Sequence, residues 1–216
     1  MKEAIYKKLK AKIINGEISP GSLLVEREIS DNYGISRTPI REILWHLESD
    51  GLITRDASKG YVIRNVSLEE IISIFQSREG IEGIATRVAC LKGNEGFLNQ
   101  LDELGKIIEA ISIDKDAKKH ILYGKRLHDL IVSTANNIFL IEFYNKLTAL
   151  SVLIRNITKK SVSIEKKSQE LHLKIIDELK KKNAEKSEYY MREHLKYTCS
   201  MIAKEFYPDF FSNKSF

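Results

Sequence analysis

Apolar and polar residues repeat with a helical period along most of this chain, and the most legible stretch is "GISRTPIREIL" at residues 34–44. Ile40, Ile43, Leu44 and Leu47 recur at i, i+3, i+4 and i+7, which makes one apolar face that must pack against something. Thr38, Arg41 and Trp45 therefore point away from that packing. Ser36 is a favoured N-cap, able to accept a hydrogen bond from a first-turn N–H, and Pro39 falls in the same turn, where a missing N–H costs little. A short helix with an apolar back and a basic, polar N-terminal end is the shape that a DNA major groove accepts.

The same reading carries outward along the chain. Residues Lys2 to about Asn15 alternate charge with apolar positions at helical spacing and stop at Gly16; "ISPGSLL" makes a turn. A second short helix runs from about Glu26 to Asn32 and ends at Gly34, which can take the left-handed conformation of a helix C-terminus. After Gly51, "LITR" and "YVIR" are β-favouring runs separated by "DASKG", the pattern of a hairpin. Helix, helix, turn, helix, hairpin is the order of a winged helix-turn-helix.

Ser67 and Glu70 then form a capping box ahead of a long amphipathic helix, so a domain boundary is expected near Val66. Between Gly124 and Pro208 there is neither Gly nor Pro. Further helices are expected at about Glu95 to Ile111, Asp116 to Ala135, Ile138 to Ile157, Ile164 to Lys182 and Ala184 to Phe206. The fold class is mainly α: a winged helix-turn-helix over residues 1–66, and an antiparallel bundle of six to seven helices over residues 67–216. Stripes interrupted by Gly and His, rather than sustained heptads, argue against a coiled coil.

Composition changes this picture little. A net charge of +5 suits a polyanionic partner, but residues 1–66 carry 11 Lys and Arg against 9 Asp and Glu, so a DNA argument rests on where charges sit. Cys90 and Cys199 have no metal-ligand spacing and read as two buried, reduced thiols. The N-terminus lacks the apolar core of a signal peptide, and no run approaches the length needed to cross a bilayer, so a cytoplasmic protein without membrane contact is expected.

Histidines stand where apolar residues belong. His128 lies with Leu127, Ile131 and Ala135, His172 with Ile175, Ile176 and Leu179, and His194 with Met191, Leu195 and Thr198. Three inward imidazoles on three helices are the right ligands for a divalent metal. The competing reading is three hydrogen-bonded core histidines. Arg78 also continues an apolar stripe, with Ile71, Ile74, Phe75, Ile81 and Ala85, and an inward guanidinium needs an anion. Glu82 at i+4 could supply it, or a ligand's carboxylate could. Arg155 borders the stripe Leu147, Leu150, Ile154 and is a candidate of the same kind.

The stretch "PGSLLVEREISDNYGISRTPIREILWHLESDGLI", Pro20 to Ile53, resembles the winged helix-turn-helix of GntR-family bacterial repressors, and the later helices resemble the FadR-type branch with its all-helical FCD ligand-binding domain. The resemblance covers essentially the whole chain. It implies a dimeric, DNA-binding transcriptional regulator, with operator contacts from Arg27, Ser36, Arg37, Thr38 and Arg41 and from the wing at Lys59 and Gly60. Arginine suits base readout or a phosphate clamp, Ser36 and Thr38 suit phosphate, and Gly60 permits the wing's tight turn.

For the bundle, the resemblance implies a metal held by an Asp one turn before the first His and by three histidines. "GKRLHDLIVSTANN", "QELH" and "MREHL" place His128, His172 and His194 at the histidine positions, while Gly124 occupies the Asp position. Three histidines can still hold Zn or Ni, with water or an effector carboxylate completing the shell. His120 stands one turn before Gly124 on roughly the same face, but its distance along the helix argues against it as a replacement. Arg78 is implied as a contact for a small carboxylate effector; Asn136 also matches the family, with capping of the next helix as its commonest role. The alternatives are a metal-dependent hydrolase, which would need a general base that the sequence does not present, and a ligand-independent architectural dimer.

Overall fold

The computed structural model describes residues 1–56, 58–158 and 161–208, without the side chains of residues 152 and 155–158. Residues 1–67 together with 148–157 form one compact unit; residues 68–147 and the described residues from 158 to 208 form the other.

In the first unit, α1 (Lys2–Ile14), α2 (Glu26–Tyr33) and α3 (Arg37–Ser49) surround a small core, and a three-stranded antiparallel sheet follows the order β1 (Leu23–Leu24), β3 (Gly60–Ile63), β2 (Ile53–Asp56). The predicted stripe is the core of this unit: Ile40, Ile43, Leu44 and Leu47 are each fully buried, against α1 residues Ile5, Leu9 and Ile13. Gly34 ends α2 at φ +63°, as the turn between the two helices requires. The hairpin pairs Ile53 with Ile63 and Asp56 with Gly60. β1 was not expected, because a two-residue strand offers no alternation to read; it pairs Leu23 with Val62 and Leu24 with Tyr61.

The second unit is built from helices: α4 (Leu68–Lys92), α5 (Glu95–Ala110), α6 (Ile113–Ala135), the first half of α7 (Ile138–Thr158), α8 (Val162–Lys180) and α9 (Ala184–Phe206). α4 packs along α9 and α6, and α8 lies against α9, α6 and α5. Their starts are set by short polar side chains. Asn94 accepts from the Phe97 N–H at 3.0 Å, and Asn183 from the Lys186 N–H at 3.1 Å. α6 was expected to begin at Asp116; a helical turn precedes it, and Asp116 sits at φ −146°, ψ 61°, its Oδ1 accepting from the Lys119 N–H at 3.0 Å. The sequence signal was thus the cap of the main helix, with a preceding turn that no pattern marks.

Two expectations are corrected here. Cys90 is buried but Cys199 is only half-buried, so the pair are not equivalent core thiols. Asn137, not Asn136, caps α7, its Oδ1 accepting from the N–H groups of Phe139 and Leu140, while Asn136 ends α6 in the left-handed conformation at φ +47°.

Two glycines make opposite predictions. Gly34→Ala is expected to destabilise by about 1–2 kcal/mol, because it forces a Cβ into the left-handed region. Gly80→Ala, inside α4 with open space around the new Cβ, is expected to stabilise by about 0.5–1 kcal/mol. Urea unfolding midpoints that moved in the same direction would contradict this.

Candidate functional site

The first unit presents its basic side chains outward. Burial of the apolar back of α3 leaves Arg37, Thr38, Arg41 and Trp45 exposed on the opposite side, and Arg27 is exposed on α2. Arg37 makes no ion pair among the described residues, whereas Arg27 lies 3.8 Å from Asp31. Arg41 donates to Glu26 of α2 across the turn at 2.8 Å, and Glu42 is taken by Lys2. Ser36 occupies the N-cap position in extended conformation, but its side chain makes no capping hydrogen bond. At the wing, Asp56 Oδ1 accepts from the Ser58 and Lys59 N–H groups at 2.9 Å and from the Ser58 hydroxyl at 2.7 Å, which holds its carboxyl below the usual range. The Lys59 side chain is left exposed, and Gly60 adopts φ +89°.

Within the helical unit, His128 from α6, His172 from α8 and His194 from α9 converge. All three are buried, and one ring nitrogen from each lies within 4.8 Å of the others. His128 Nε2 and His172 Nε2 are 3.2 Å apart, and the His172 and His194 ring centroids 4.5 Å. Two imidazoles on one Zn or Ni ion would hold their nitrogens about 3.4 Å apart, given metal–nitrogen bonds of roughly 2.1 Å.

The other nitrogen of His128 is spoken for. Its Nδ1 is hydrogen-bonded to Glu82 Oε2, and Glu82 Oε1 accepts from Arg78 Nε at 2.6 Å. Burial alone would push the Glu82 carboxyl up, but the Arg78 guanidinium and the His128 imidazole outweigh it and lower it from 4.5 to about 2. An ionised carboxylate only accepts, so a ring hydrogen sits on Nδ1, and in the neutral ring, the form that binds a metal, the Nε2 lone pair faces the cluster. Burial, reinforced by His128 and Arg78, holds the His194 imidazole well below its ordinary 6.5, so it is neutral at physiological pH. His194 Nδ1 is shielded from solvent and has no hydrogen-bond partner among the described residues. Donor type, spacing and this orphaned nitrogen all fit a divalent transition metal.

Arg78 is buried as its stripe predicted and is already paired with Glu82, its guanidinium also lying 5.3 Å from the centre of the Phe75 ring. Gly124 leaves space that His172 fills: a Cβ there would lie 2.6 Å from His172 Cε1. Asn136 is exposed, and the side chain of Arg155 lies outside the described residues. Sequence reasoning weighed Glu82 only as a partner of Arg78 and missed its hold on His128; a carboxylate on an otherwise apolar stripe was the available signal.

Residues 1–63 match the family described as bacterial regulatory proteins, gntR family, and residues 73–197 match the FCD domain. The chain belongs to the GntR family, with an FCD domain. Among its relatives are the HTH-type regulator YdhC of Bacillus subtilis, 27% identical over 198 residues covering 91% of this chain and 88% of YdhC, and the repressor GlaR of Escherichia coli, 24% identical over 88% and 90%. The gluconate operon repressor of Bacillus licheniformis is 30% identical over 64% of this chain and 57% of its own length. The solved structure of E. coli McbR/YncC, at 19% identity, superposes with a TM-score of 0.77 over 95% of this chain and 98% of that one. These findings make the chain a GntR transcriptional regulator with a ligand-binding FCD domain. No helix among its described residues is long and apolar enough to cross a membrane.

In this GntR regulator the buried chain Arg78, Glu82, His128 fixes a pH dependence. Glu82 titrates lower in the fold than unfolded, so its stabilisation is complete above about pH 4.5 and lost as pH falls toward 2. His194 also titrates lower in the fold, so acidification below 6.5 favours the unfolded chain, which takes up the proton first. Both effects predict a metal-free protein whose urea midpoint falls steadily on acidification below pH 6.5. Glu82→Gln should cost about 3–5 kcal/mol by leaving Arg78 buried without a counter-charge; a midpoint indifferent to Glu82→Gln would contradict the pairing.

Proposed function

We propose that this chain is a homodimeric, cytoplasmic repressor that binds a double-stranded DNA operator through residues 1–66 and senses a small carboxylate through residues 67–216. Operator contacts come from Arg27, Ser36, Arg37, Thr38, Arg41, Lys59 and Gly60. Exposure of Arg37, Thr38 and Arg41 on the face of α3 opposite its buried stripe supports this assignment. The Ser36 hydroxyl, unused as a cap, remains available for phosphate. Arg41 is held by Glu26 in the free protein and must exchange that partner for DNA.

The helical domain holds Zn or Ni on His128, His172 and His194, and the effector's carboxylate reaches the metal with Arg78 and Asn136 as further contacts. The observation that carries this reading is the convergence of the three buried imidazoles, with His128 pinned through Nδ1. When bound, the metal supplies a Lewis-acidic centre for an anionic ligand. Effector and DNA then act on each other through a reciprocal coupling, typically about 1–3 kcal/mol.

Arg37→Ala and Arg41→Ala are each expected to weaken operator binding by about 1–3 kcal/mol, with a smaller loss on random DNA for whichever residue reads a base. Equal losses on operator and random DNA for both would assign them to phosphate alone.

Elemental analysis of the purified, tag-free protein should find near-stoichiometric Zn or Ni, lost in His172→Ala. No metal in either protein, even after incubation with Zn²⁺ and Ni²⁺, would overturn the metal assignment while leaving the DNA assignment standing.

A further inference from the structure

A fourth histidine adjoins the triad. His120, on α6 one turn before Gly124, is fully buried, and its ring centre lies 5.3 Å from that of His172, which in turn contacts both His128 and His194. Its Nδ1 is 2.6 Å from Oε2 of Glu165, at the first turn of α8. With the Glu165 carboxylate as acceptor, a ring hydrogen sits on Nδ1, and in the neutral ring Nε2 keeps its lone pair. That Nε2 is shielded from solvent and has no hydrogen-bond partner among the described residues.

A buried polar atom left unsatisfied costs on the order of 1–3 kcal/mol, a cost that a ligand at Nε2 would remove. The arrangement repeats that of His128, whose Nδ1 is pinned by Glu82 and whose Nε2 faces the triad. A carboxylate behind an imidazole is how proteins orient a metal-ligating histidine and raise its basicity. A Cβ at Gly124 would lie 2.6 Å from His172 Cε1, so the glycine lets the His172 ring close on α6 one turn after His120; His120 itself stands outside the three nitrogens that lie within 4.8 Å of one another, so ligation requires its ring to move toward them.

We propose that His120, oriented by Glu165, is a fourth imidazole ligand of the metal held by His128, His172 and His194. The proposal rests on the metal reading given above. It replaces a carboxylate-containing ligand set with a neutral, all-nitrogen one, which suits Zn, Ni, Co or Cu rather than Mn or Mg. A four-imidazole shell around a tetrahedral ion has no open position. An effector carboxylate must therefore displace His120 or enlarge the shell.

The test uses full-length, metal-free protein titrated with Co²⁺, followed by its visible absorption bands, and with Zn²⁺ in competition with a chromophoric chelator. His120→Ala is expected to weaken Zn²⁺ binding about 10–100-fold and to shift the Co²⁺ bands as water replaces a nitrogen ligand. Glu165→Gln, which leaves an acceptor for Nδ1 but removes the charge, should weaken binding by about tenfold with smaller spectral change. Should His120→Ala fail to fold by circular dichroism, His120→Gln takes its place. Unchanged affinity and spectrum in the folded variant, with binding lost in His172→Ala, would overturn the role of His120 alone. A wild-type protein that binds neither ion would overturn this proposal together with the metal reading.

Discussion

The helical domain depends on how it neutralises one buried guanidinium. Arg78 lies inside the bundle, where an unpaired charge costs several kcal/mol or more, and Glu82 one turn along α4 supplies the counter-charge. Having been brought inside for that purpose, the Glu82 carboxylate spends its second oxygen on His128 of α6. One buried ion pair thus joins two helices, sets the tautomer of an imidazole and aims a lone pair at the place where α8 and α9 present His172 and His194. Structural and functional readings of Arg78 do not compete: the pair with Glu82 is what makes the histidine site well formed.

Gly124 shows how a single position can reorganise a site without emptying it. A side chain there would meet the His172 ring at van der Waals overlap, so a carboxylate at that position and the present placement of His172 exclude one another. The ring has taken the space, and with it comes proximity to His120. The same glycine that removes a ligand from the family pattern draws the histidines into a continuous run of ring contacts from His120 through His172 to His128 and His194.

The DNA-binding unit works by a simpler separation. Full burial of Ile40, Ile43, Leu44 and Leu47 fixes the rotation of α3 about its own axis, because turning it would expose apolar area worth about 1.5–3 kcal/mol for each side chain. That rotation alone determines that Arg37, Thr38 and Arg41 face solvent. Leu52 and Ile53 bury the root of the hairpin, and the Asp56 turn then presents Lys59 at its tip.

What the sequence determined by itself is whatever depends on local periodicity and turn chemistry: the helix-turn-helix with its hairpin, the helices of the second domain to within a few residues, the outward face of α3, and the inward direction of His128, His172 and His194. These are legible because a helical period and a glycine requiring positive φ are properties of adjacent residues. Only the tertiary structure decided which groups meet across helices. Glu26 of α2 paired with Arg41 of α3, Glu82 served His128 as well as Arg78, and Glu165 of α8 claimed His120, which helical spacing alone had set too far from the triad. Such pairings join residues 15 to 46 positions apart, and nothing in a one-dimensional pattern records the distance between two helices once they pack.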